Sequence, residues 1–170
     1  MEKTANLYTL SLASGRAWIV AAAFTVGNIA LPQLCHLLPQ GGLVLLPIYF
    51  FTLVAAYKYG LWVGLATAVF SPVVNHLMFG MPGAAALLPI LIKSVALALA
   101  AAYAARWAGK VSFIAVVGAV LAYQIAGTGA EWALEGGTFA AAAQDLSLGL
   151  PGIALQVFGG WFVLRALQRV

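Results

Sequence analysis

Glu131 and Glu135 stand one helical turn apart, and Lys93 is a lysine set inside an apolar run. Carboxylates at i and i+4 share a helix face. Such a pair can move protons in acid–base chemistry; at a helix end near solvent it is more often simply hydrated. Lys93 offers a cation, either as an internal partner for Glu131, aided by Gln124, or as a contact for an anionic substrate group such as a carboxylate. His36 and His76, with Cys35 beside the first, are candidate metal ligands or hydrogen-bond partners for a substrate. Adjacent Cys and His side chains diverge on a helix and the spacing fits no metal motif, so no bound metal or cofactor is expected. The candidate substrate-binding set is Gln33, His36, Asn75, His76, Lys93, Gln124, Thr128, Glu131 and Trp132.

The elements that position these residues are membrane helices. The chain has 170 residues, of which 64% are hydrophobic and 7% charged. Its mean hydropathy is +1.03. A soluble domain carries about 25% charged residues, and a soluble fold this apolar would expose large adhesive patches. Apolar runs near the ~20 residues that a helical span needs recur along the sequence. The alternating patterns of a β-barrel do not occur. The expected fold is an all-α integral membrane protein, one domain with six spans. The spans run over about 17–37, 43–57, 61–79, 84–107, 111–134 and 146–167, the second being short. Gly and Pro clusters separate them. Pro47, Pro72 and Pro89 fall inside spans, where each removes a backbone donor. Membrane helices tolerate such prolines, and kinks at them also open ligand cavities.

Charge sets the orientation. Of the 8 Lys and Arg residues, Lys3, Arg16, Lys58, Arg106, Lys110, Arg165 and Arg169 fall at span ends on one side. The positive-inside rule assigns that side, with both termini, to the cytoplasm. The outer connections are then 38–42, 80–83 and 135–145, none with a Lys or Arg. The last holds Glu135, Gln144 and Asp145. The net charge of +4 thus belongs to the helix ends, and no basic run interleaved with aromatics points to nucleic acid. Lys93 breaks the pattern. It lies roughly 14 Å below the outer end of span four at 1.5 Å per residue. Insertion of a lysine there costs about 2.5–3.5 kcal/mol, so something must offset it. The other candidate polar residues also fall in the outer half, as an outward-facing pocket requires.

Motifs for ATP hydrolysis, zinc proteolysis and serine hydrolysis are missing: no phosphate-binding loop surrounds Gly109-Lys110, and neither His-Glu-x-x-His nor Gly-x-Ser-x-Gly occurs. Ala17 and Ala21 have a small-x-x-x-small spacing that suits close helix contact, within the chain or with a partner helix.

One stretch resembles a known family. Leu46-Pro47-Ile48-Tyr49-Phe50, then Tyr59-Gly60-Leu61-Trp62-Val63-Gly64-Leu65, Ser71-Pro72 and Gly80-Met81-Pro82 are similar to the substrate-binding S components of energy-coupling-factor (ECF) transporters. The resemblance extends to length and span number. It implies a six-helix bundle in the cytoplasmic membrane of a prokaryote, which binds a vitamin or similar micronutrient from outside and topples to deliver it. It also implies as partners a transmembrane coupling subunit, met through Ala17 and Ala21, and a pair of cytosolic ATPases. The chain itself would then not be an enzyme. Lys93 leans toward an anionic vitamin, and Cys35 with His36 leaves a cobalt-containing ligand open. The competing readings are a stand-alone secondary transporter or channel and an intramembrane enzyme using Glu131, Glu135, His36 and His76.

Overall fold

The structure, a computed structural model, describes Leu7 and residues 10–37, 39–135 and 147–168. Among these residues every regular element is helical. The order is α1 (Gly15–Cys35), α2 (Gly41–Leu45), a 3₁₀ turn (Pro47–Tyr49), α3 (Phe50–Tyr59), α4 (Leu61–Phe79), α5 (Ala84–Ala108), α6 (Phe113–Glu135) and α7 (Leu150–Leu167). All but α2 and α3 are long and apolar enough to cross a membrane. Ile19, Leu77, Ile114, Ile125 and Phe162 are exposed on the outside of the bundle, which suits a lipid surround as apolar as they are. The expected third outer connection, with Gln144 and Asp145, lies outside the described residues, as do Lys3, Arg169 and the side chain of Glu135.

The second expected span differs from a continuous helix. It is split into α2, the 3₁₀ turn and α3. The cause is local. The residue before a proline avoids the right-handed helical region, and Leu46 takes the left-handed conformation at φ 47°, ψ 45°. Pro47 then starts a new turn at the one place where its missing N–H does no harm. Pro72 and Pro89 lie within unbroken helices.

Helix α3, which begins just past the break, forms the centre of the molecule. Leu53, Val54, Ala55, Ala56 and Tyr57 are essentially inaccessible, and α3 packs against α1, α4, α5 and α7. A ten-residue helix does not need to span lipid if other helices surround it. Two glycines bring α4 down on it. Gly60 turns the chain at φ 95°, and a Cβ at Gly64 would overlap Ala56. The Tyr-Gly-x-x-x-Gly pattern therefore encodes a tight α3–α4 corner. On the far side α7 contains a π-helical turn over Leu155–Gly159. A Cβ at Gly160 would stand 2.8 Å from Leu53 Cδ2, so α7 also rests directly on α3.

The free backbone groups at the break are answered by two buried amides. Asn28 of α1 accepts from the Phe51 N–H at 3.0 Å, in the first turn of α3. Its own amide donates to Thr52 Oγ1 at 3.0 Å and Ser71 Oγ at 3.1 Å, which joins α1, α3 and α4. The Ser71 hydroxyl donates to the Thr67 carbonyl at 2.6 Å. On the other side Gln156, in the π-helical turn, donates to the Leu46 carbonyl at 3.4 Å and accepts from the Tyr123 hydroxyl at 2.9 Å.

The bundle has one basic end. The ammonium of Lys58 donates to the Leu167 carbonyl at 3.0 Å. The Tyr57 hydroxyl donates to the Lys110 carbonyl at 2.8 Å and accepts from the Ser112 N–H at 3.2 Å. The Leu10 N–H donates to the Tyr59 carbonyl at 3.1 Å. These bonds gather the start of α1, the α3–α4 corner, the α5–α6 connection and the end of α7. Arg16, Lys58, Arg106, Lys110 and Arg165 thus share that end.

Replacing Asn28 by Leu keeps the volume similar and leaves the Phe51 N–H without a partner in an apolar interior. The expected loss is about 1–3 kcal/mol, read as a lower melting temperature of the detergent-purified protein. Ile19, exposed on the same helix, is the control position: Ile19→Val should leave the melting temperature nearly unchanged.

Candidate functional site

The end opposite the basic one holds the polar residues singled out in the sequence. Short connections fix this arrangement: α4 ends at Phe79 and α5 begins at Ala84, so the C-terminal turn of α4 and the N-terminal turn of α5 lie together. Asn75 and His76 are in the last turns of α4, and Gln33 is in the last turn of α1. The Gln33 amide donates to Asn75 Oδ1 at 3.1 Å, with Asn75 almost fully buried. This bond ties α1 to α4 at their ends away from the basic cluster.

The two histidines are held by backbone rather than by each other. His36 Nδ1 lies 2.6 Å from the Pro32 carbonyl, one turn back on α1. Its Nε2 edge faces Gly42, where an added Cβ would stand 2.9 Å away. His76 Nδ1 lies 2.6 Å from the Pro82 carbonyl and so anchors the 80–83 connection to α4. A ring nitrogen this close to a carbonyl must carry the proton, which leaves Nε2 as an acceptor in the neutral ring. Among the described residues no group of three or more His, Cys, Asp or Glu is placed to hold a metal ion.

Lys93 and Glu131 form an ion pair at 2.6 Å between α5 and α6. Their side chains keep 15% and 22% of their accessible surface, so the pair is set into the bundle without being sealed. Lys93 is nine residues into α5, roughly 14 Å from the start of that helix, and Glu131 is one turn before the end of α6. The lysine reaches the carboxylate along Gly127. A Cβ at Gly127 would overlap Lys93 Cγ and stand 3.0 Å from its Cε. Gly127 and Glu131, at i and i+4, therefore form a track on α6: the first receives the methylene stem and the second the charge. The residue after Lys93 carries Ser94 Oγ, the one buried side-chain polar atom without a hydrogen-bond partner among the described residues.

The remaining candidates separate by helix face. Gln124 is buried two turns deeper on the face of Glu131, and Thr128 is half-buried. Trp132 is 60% exposed. One residue beyond Glu131 turns its side chain by about 100°, out to the surface, where tryptophan suits the membrane interface. Ala17 and Ala21, expected to pack within the chain or against a partner helix, face inward. They are 0% and 2% exposed and pack with Ala55, Val63 and Ala66 of this chain's own α3 and α4.

Asn28 and Gln156, the two buried amides that hold the scaffold, were not singled out from the sequence. The signal that could have found them was their type. An amide in the middle of an apolar span faces an interior partner, and that reading identifies both without any motif.

Gly127→Leu is expected to displace the Lys93 stem and weaken its pair with Glu131. Thermal unfolding of Gly127→Leu, Lys93→Ala and the double variant checks this. The double variant should melt well above the value that adding the two single losses gives, because removal of the stem makes room for the leucine.

A scan against protein-family models, a search of the curated proteins and a search of the solved structures each found no match to this chain.

Proposed function

We propose that the chain is the membrane-embedded binding subunit of an importer, one that captures a small micronutrient at its polar end. The observation that carries this reading is the Lys93–Glu131 pair, partly accessible and deep within an apolar bundle. Two charges in such a place weaken a fold more often than they strengthen it. Intramembrane ionisable residues mark substrate paths by default. The pair lies at the end away from the basic cluster, so the positive-inside rule turns it to the outer face and puts both termini in the cytoplasm. Gln33, Asn75, His36 and His76 lie at the same end and supply hydrogen-bonding groups.

The resemblance to ECF S components extends the proposal to partners. A transmembrane coupling subunit and two cytosolic ATPases would supply the energy, at the basic end of the bundle. Since Ala17 and Ala21 are occupied within the chain, the surface met by such a partner lies elsewhere.

A stand-alone secondary transporter is the second reading, favoured by one observation. The α2–α3 segment is a broken helix near the middle of the bundle, and broken helices supply substrate contacts in such transporters. Two measurements separate the readings. Mild-detergent purification from a native membrane should bring down an ATPase pair with the importer subunit and nothing with the stand-alone carrier. Native mass spectrometry should show a vitamin-sized adduct, held less tightly by Lys93→Met by about 1.5–3 kcal/mol, the range for a charged hydrogen bond. Unchanged retention by a normally folded Lys93→Met rules out Lys93 as a ligand contact.

A further inference from the structure

The pairing of Lys93 with Glu131 constrains what can bind to either. Among the described side chains, Lys93 and Glu131 are the formal charges at this end of the bundle; Arg16, Lys58, Arg106, Lys110 and Arg165 belong to the other. The two neutralise each other at 2.6 Å. A solute bearing only a carboxylate gains Lys93 at the expense of Glu131, which then stands unpaired in a poorly solvated place. A purely cationic solute leaves Lys93 in the same position. An unpaired charge in such a medium is far less favourable than a paired one. Only a solute that brings both signs replaces each partner that it displaces.

We infer that the solute is a compact zwitterion, with its anionic group on Lys93 and its cationic group on Glu131. This rests on the binding-subunit reading. Two observations support it. Both side chains keep part of their accessible surface, so the pair is not sealed. The lysine stem lies against Gly127, a fixed groove that holds the methylenes while the ammonium exchanges partners. The two groups on the solute must be near neighbours, since the charges that receive them start in contact. An α-amino acid or a small betaine-like molecule has this chemistry; a dicarboxylate does not.

The sign of the Glu131→Gln effect tests the inference. The protein is purified in mild detergent from its native membrane, and the compound that it retains is identified after release. That compound is then the probe for rebinding to wild type, Lys93→Met and Glu131→Gln. The expected result is a compound with one anionic and one cationic group at neutral pH, whose affinity falls by about tenfold or more in each variant. A monoanion gives the opposite pattern: Lys93→Met weakens it, and Glu131→Gln holds it as well as or better than wild type, because the competing carboxylate is gone. That outcome overturns the zwitterion and leaves the binding-subunit reading intact. Wild type that retains no compound overturns both. The identity of the compound from wild type decides the matter even where a variant fails to fold.

Discussion

The structure depends on a broken helix in its own centre. Leu46 leaves the helical region because Pro47 comes after it, and the chain restarts as α3 with free backbone groups on both sides of the break. In an apolar interior no water answers such groups, and each one left unpaired costs several kcal/mol. Asn28 answers one side and Gln156 the other. Both reach in from neighbouring helices, so satisfying the break also fixes where α1 and α7 lie. Asn28 adds Thr52 and Ser71, which fixes α4. Helices in lipid gain little from burying apolar surface against one another. Directional bonds at one point and close backbone contacts at glycines hold the bundle instead, with Gly64 against Ala56 and Gly160 against Leu53.

That anchoring explains the polarity of the two ends. The α3–α4 corner, the α5–α6 connection and the end of α7 are tied by Tyr57 and Lys58 to backbone carbonyls. The basic end is therefore closed by bonds that involve the protein's own main chain. At the other end His36 and His76 also bond main-chain carbonyls, of Pro32 and Pro82, while Gln33–Asn75 runs between side chains. The Lys93–Glu131 pair lies toward this end and keeps part of its accessible surface.

Much of this was legible in the sequence, and the rest was not for identifiable reasons. The long apolar runs, the basic side and the depth of Lys93 come from composition and spacing, because the membrane imposes length and charge rules that act residue by residue. The pairing of Lys93 with Glu131 was one of two readings left open by the sequence. Its geometry depends on Gly127, whose role appears only when α5 is laid against α6. The broken second span was legible only as a short one: Pro47 was visible, but the partner that answers the Leu46 carbonyl, Gln156, lies 110 residues on and was not. The inward face of Ala17 and the outward face of Trp132 were not legible, since periodicity gives a helix face only when the neighbouring helix is known.

The seam between α5 and α6 shows how the fold makes the charged site tolerable. Ala115, Ala119, Tyr123, Gly127 and Glu131 succeed one another at i+4 along α6, a single stripe on that helix. Opposite it α5 buries Ala105, Ala102, Ala101, Ala98 and Leu97. Small residues on both sides let the two helices approach closely over the half nearest the basic end. Tyr123 marks the change, where the stripe turns to its hydroxyl bond with Gln156. Beyond it the seam needs filling, and the Lys93 stem fills it over Gly127. The long lysine side chain thus packs as a hydrocarbon for most of its length and delivers its charge only at the tip. A Met at position 93 would keep that packing and lose the tip. For this reason Lys93→Met separates the role of the lysine as filler from its role as ligand, and the i+4 stripe on α6 makes the separation possible.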